Sequence, residues 1–172
     1  AKRFANTLER LGPTYIKLGQ ILSTRKTMLP SPFTYELQRL QDNVKPIDAN
    51  EIREILETEL GANINDVFQD FTNSPLSTAS LGQVHKAILK TGEEVVIKVQ
   101  KPNIKEVIES DLEFMKNSVN LLNEINEEFK RYHIQGILDD FSKNIRRELD
   151  YQEEEHNLRT VSYTHLTLPT IE

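Results

Sequence analysis

In the first third of the chain, apolar residues recur at steps of three and four, the spacing that lines them along one side of an α-helix. Phe4, Leu8 and Leu11 mark a short helix stopped by Gly12-Pro13. Pro13 suits the first turn of a second helix, which runs through Tyr15, Leu18 and Leu22 toward Arg25. Ser31-Pro32 opens a third, with Phe33, Leu37 and Leu40 on one face. Asp48 with Glu51 three residues on is a capping box; it starts a fourth helix, carried by Ile52, Ile55, Leu56 and Leu60 and closed by Gly61. The period then shortens. Residues 67–71, 81–89 and 93–99 read as strands, the last two joined by a tight turn at Thr91-Gly92. Helical spacing returns through Val107, Ile108, Leu112, Met115, Val119, Leu122, Ile125 and Phe129. A last helix is expected over 134–159, turning Ile137, Leu138, Phe141, Ile145 and Leu149 inward. The order predicts an α+β fold with a small antiparallel sheet set between helical segments.

Composition narrows the function. A chain of 172 residues can bury a real core, as one domain or one lobe with an extension. Its 27 acidic against 21 basic residues give a net charge of −6, the reverse of a nucleic-acid footprint. With no cysteine, disulfides and thiolate metal sites are excluded. His85, His133, His156 and His165 show no metal-ligand spacing and read as ordinary histidines. No apolar run approaches the roughly 20 residues of a membrane span.

The chemistry concentrates in four places. Lys98 ends the strand Val95-Val96-Ile97-Lys98, where a protein kinase carries the lysine that pairs with the ATP phosphates. Upstream, where a kinase has G-x-G-x-x-G-x-V, Ser77 and Ala79 replace glycines while Gly82 and Val84 remain. Gly82 stands sixteen residues before Lys98, room for a strand, a turn and a second strand that would set the lysine under the loop. Ala79 and Ser80 carry Cβ atoms that restrict how closely the loop backbone approaches phosphate. Lys17 and Gln20 lie three apart on one helix face. Glu148, Asp150 and Glu154 belong to an acidic run that requires cations to compensate it; on a regular helix Asp150 and Glu154 share a face that Glu148 does not. Each feature also has a plainer meaning: a solvated lysine, a polar turn, a surface Lys–Gln pair, an acidic helix face in water.

Taken together, Lys17-Leu18-Gly19-Gln20, Ser77-Thr78-Ala79-Ser80, Val95-Val96-Ile97-Lys98 and Glu148-Leu149-Asp150 resemble the KxGQ, alanine-rich loop, VAIK and ExD motifs of UbiB-type (ADCK-like) atypical kinases. Leu81-Gly82-Gln83-Val84-His85 and the stretch from Tyr151 to Leu158 extend the resemblance over roughly residues 1 to 160. It implies a protein-kinase-like N-lobe with a helical extension: residues 1–62 as the KxGQ extension, 63–103 as the sheet, 104–160 as helices with the αC-type helix. It implies that Lys98, with Ala79, Ser80, Gly82 and Val84, meets the nucleotide and that Glu154 is the helix partner of Lys98. Lys17 and Gln20 would fold over the active site, facing Glu148 and Asp150. ATP and Mg²⁺ are the implied cofactors of the full-length parent. Membrane lipid or quinone-biosynthesis components are its implied partners, at the cytoplasmic face of a membrane.

The resemblance also implies a catalytic-loop Asp and Asn and a D-F-G-type Asp beyond Arg159, so the chain read this way is an N-lobe part, inactive alone. Residues 161–172 resemble translated sequencing-adapter read-through. The rival reading is a non-catalytic helical interaction module, with its lysines and acids solvated.

Overall fold

A computed structural model of the chain describes residues 1–25, 28–41, 45–130 and 133–150. The chain packs as two units, one joining Ala1–Leu40 to the segment from Asn103 onward, the other spanning Gln41–Pro102.

In the first unit, α1 (Lys2–Leu11) and α2 (Pro13–Thr24) meet at Gly12, whose φ of 109° is open to glycine and strained for other residues. α3 (Ser31–Gln38) folds back onto both. Ala5, Leu8, Leu37 and Leu40 form their core, with Tyr15, Ile16, Leu22 and Leu29 packed against it. The unit continues with α6 (Ile104–Ile125), α7 (Glu127–Lys130) and α8 (Ile134–Leu149). Ile104, Ile108 and Leu112 of α6 and Leu138, Phe141 and Ile145 of α8 are buried, at the spacing the sequence predicts.

Two expected helices end early. The apolar period through Phe129 is broken at Asn126, which has extended backbone, so Phe129 falls on the separate α7. The helix expected over 134–159 stops at Leu149, and Asp150 leaves helical geometry (φ −89°, ψ 91°). A helix C-terminus carries partial negative charge, which favours Arg146 and Arg147 in the last turn and disfavours the acids that follow. Asp150 therefore sits beyond the helix; Glu154, expected on its helical face, lies outside the described residues.

The second unit begins with α4 (Ala49–Leu60). Asp48 caps it by accepting from the Asn50 N–H at 2.9 Å, and left-handed Gly61 (φ 62°) closes it. After one turn of helix, α5 (Ile64–Val67), come β1 (Phe68–Phe71), β2 (Ser77–Thr78), β3 (Gly82–Leu89) and β4 (Glu94–Gln100). β3 is central. β4 runs antiparallel along one edge, and β1 and β2 pair in turn with the other. The hairpin turns at Gly92 (φ 92°), whose N–H donates to Leu89 O at 2.9 Å.

Strand alternation gives the sheet two faces. Ala87 and Val95, with Phe68 and Val99, form one core with Ile52 and Leu56 of α4. Gln83 and His85 lie on that same inner face and are likewise buried. The helix at 49–60, grouped by sequence order with the N-terminal extension, thus packs with the sheet.

Candidate functional site

The outer face of the sheet carries the nucleotide candidates. Register sets Ser77 opposite Val84 and Val84 opposite Lys98, one row across three strands with all three side chains on one face. Lys98 is exposed. The turn from β2 to β3 is closed by the Ala79 N–H, which donates to Gly82 O at 2.8 Å. That amide is already engaged, unlike the open amides of a glycine loop. Ser80 is buried at 4% exposure, so its hydroxyl faces protein rather than bulk water. Lys101, one residue past β4, donates its N–H to Leu81 O at 2.9 Å, and burial lowers its ammonium pKa. Glu154 lies outside the described residues.

In the first unit, Lys17 of α2 reaches Glu148 at the end of α8, Nζ to Oε1 2.5 Å. Lys17 is 20% and Glu148 44% exposed, so the pair is only partly screened by water. One turn before Lys17, fully buried Thr14 donates to the Asp111 carboxylate of α6. Burial, and then the charge of Asp111, pushes the Tyr15 phenol up, keeping it neutral. Arg146 of α8 clasps Glu109 of α6 through two 2.7 Å bonds from Nε and Nη2. α2, α6 and α8 are thus joined pairwise by polar contacts, and this triangle holds Lys17 against Glu148. Gln20 is oriented differently: its Nε2 donates to Leu40 O at 3.3 Å. Asp150, though exposed, is not without a partner.

Residues 39–172 match the ABC1 atypical kinase-like domain. The chain belongs to the ABC1 atypical kinase-like family. It is 42% identical over 157 residues to the probable protein kinase UbiB of Azotobacter vinelandii, covering 91% of this chain and 29% of that protein. The probable protein kinase UbiB of Shewanella denitrificans is 42% identical over 158 residues, with the same coverage. Among solved structures, the Mycobacterium tuberculosis protein Rv3197, determined in complex with erythromycin, matches with a TM-score of 0.57 and 30% identity. That match covers 88% of this chain and 38% of the other. The chain spans less than a third of the length of the two UbiB relatives.

Several residues around these candidate sites escape sequence reading. Thr14, Asp111 and Glu109 belong to no motif, and their partners lie between 37 and 97 residues away in sequence. His85, read as ordinary, is fully buried: Nε2 lies 2.7 Å from Gln83 Nε2 and Nδ1 2.8 Å from Thr72 O. The signals available were a polar pair, Gln83 and His85, at inward-facing strand positions, and its place in the Leu81–His85 stretch. Among the described residues, no helix is long and apolar enough to cross a membrane, and no three potential metal ligands cluster.

Proposed function

We propose that this ABC1 chain is the nucleotide-binding N-terminal part of an atypical kinase or ATPase. The row Ser77–Val84–Lys98 across the outer face of the sheet carries this reading. An exposed ammonium beside an apolar valine, in one row with the strand that leads into the turn closed by Ala79 and Gly82, suits a polyphosphate next to a flat apolar ring. Lys98 would hold phosphate oxygens by charge. Val84 would lie under the base, and the Ser77–Ser80 turn would cover the phosphates with fewer free amides than a glycine loop supplies. Ala79, Ser80 and Gly82 would set that geometry, and Glu154 would orient Lys98.

In the other unit, Lys17 and Glu148, with Gln20 and Asp150 nearby in sequence, would form the extension's contribution to the active site. An extension that closed off the protein-substrate path of an ordinary kinase would favour a small or lipid-like substrate. Membership beside UbiB proteins supports a role in ubiquinone or related isoprenoid-lipid biosynthesis, with lipid or quinone-pathway partners at a membrane surface. ATP would enter as its Mg²⁺ complex. The described residues offer no clustered metal ligands, so we assign none to the ion.

Titrating the chain with MgATP tests the reading. Lys98→Ala should weaken binding at least about tenfold, the value of one strong charge-assisted contact. Equal affinity in the two proteins, with the hairpin intact by circular dichroism, would remove Lys98 from the site and the nucleotide role with it.

A further inference from the structure

On the sheet face opposite the row of Ser77, Val84 and Lys98 runs a buried polar chain through Gln83 and His85, to which the motifs give no role. Gln83 Oε1 accepts the Ile47 N–H at 2.8 Å, which fixes the orientation of the carboxamide. Its Nε2 must then face the ring as a donor, 2.7 Å from His85 Nε2. His85 Nε2 is therefore the acceptor, and the ring proton sits on Nδ1, which donates to Thr72 O at 2.8 Å. The ring is stacked on Phe71, 5.1 Å between centroids. A backbone N–H ahead of α4 thus selects the tautomer of a histidine two strand positions from Gln83.

The far end of this chain acts on the loop. Thr72 donates its own N–H to Lys86 O at 2.9 Å, so both its backbone groups are held by β3. Four residues on, the Leu76 N–H donates to Val84 O at 2.7 Å, and the Ser77–Ser80 turn begins at the next residue. The connector from β1 to the turn is pinned at one end by the His85 ring and at the other by Val84. We propose that His85 is a positioning residue for the nucleotide site: its Nδ1 proton, set by Gln83, holds the connector that leads into the Ser77–Ser80 turn and so places that turn against the row of Val84 and Lys98. This inference rests on the nucleotide reading above.

Two substitutions separate positioning from packing. An asparagine amide reaches where Nδ1 sits and keeps the donation to Thr72 O; a glutamine amide reaches where Nε2 sits and loses it. Glutamine is closer to histidine in size, so a purely space-filling role makes His85→Gln the milder change. Positioning reverses the order. We expect His85→Gln to weaken MgATP binding about tenfold and to speed hydrogen exchange at the Leu76 and Ala79 amides, with His85→Asn within about threefold of the unaltered chain. The ¹⁵N shifts of the His85 ring, read on the unaltered chain, should show Nδ1 protonated and Nε2 bare. The opposite tautomer, or a His85→Gln chain with unchanged MgATP affinity and loop exchange, overturns the inference. It is also overturned if His85→Gln proves the milder variant. Loss of MgATP binding in the unaltered chain itself would instead refute the nucleotide reading on which it stands.

Discussion

Gly19 has no room for a methyl group. A Cβ built there would stand 2.6 Å from Leu40 Cδ1, 3.1 Å from Leu8 Cδ1 and 3.3 Å from Leu37 Cδ2. All three leucines are core residues, at most 5% exposed, so none can swing into water. Alanine in place of glycine gains about 1 kcal/mol of helix propensity, against about 1–3 kcal/mol for overpacking a filled core. We expect Gly19→Ala to be neutral to about 2 kcal/mol destabilising, read as faster hydrogen exchange in α2; clear stabilisation would mean the three leucines repack freely. The small residue at this position is legible only as a motif letter. What fixes it is the depth to which α2 sinks against its neighbours, and that depth comes from leucines on both sides of it in sequence, Leu8 before and Leu37 and Leu40 after. Lys17 and Glu148 were legible as charges needing partners, whereas His85 was not, because its tautomer depends on Ile47 and Thr72, neither of them ionisable.

Helices and strands were the most readable scale, because an apolar period of 3.6 or 2 is written in the sequence itself. Their ends were less so. Asn126 interrupts a period that continues through Phe129, and the break at Leu149 depends on where charge falls relative to the helix terminus. The clasp between α6 and α8 shows the same charge logic across two elements. The Arg146 hydrogen bond, against a burial cost and aided by the charges of Arg146 and Lys105, holds the Glu109 carboxyl below its ordinary range. A carboxyl lowered on folding stabilises the fold above its unfolded value, and that contribution is lost as pH falls through the folded value. Both partners are about half exposed, 51% and 42%, so the clasp contributes under about 1 kcal/mol. Glu109→Gln should therefore cost a few tenths of a kcal/mol near neutrality, and the difference should shrink as pH falls through the lowered folded value of the carboxyl. A difference between the two chains that stays constant with pH would assign the effect to packing.

At the scale of the whole chain, sequence order misleads. The first unit is assembled from two stretches separated by the whole of the second, and α4, read with the helices before it, shares its core with the strands after it. Ordered motifs reveal which residues matter without revealing which elements share a core, because period marks an apolar face and leaves its partner unspecified. The face of α4 formed by Ile52 and Leu56 is satisfied by Phe68, Ala87, Val95 and Val99. Ile52 is fully buried, so truncation to alanine removes methylene contacts and leaves a cavity, at a cost of about 2–5 kcal/mol. We expect Ile52→Ala to accelerate hydrogen exchange at the Val95, Val99 and Ala87 amides of the hairpin while the α1–α3 amides keep their protection. Because β3 also carries Gln83 and Val84, the same substitution should loosen the Ser77–Ser80 turn and, on the nucleotide role proposed above, weaken MgATP binding without touching the outer face. Loss of protection concentrated in α1–α3 instead would return α4 to the extension and leave the sheet to be held by other contacts.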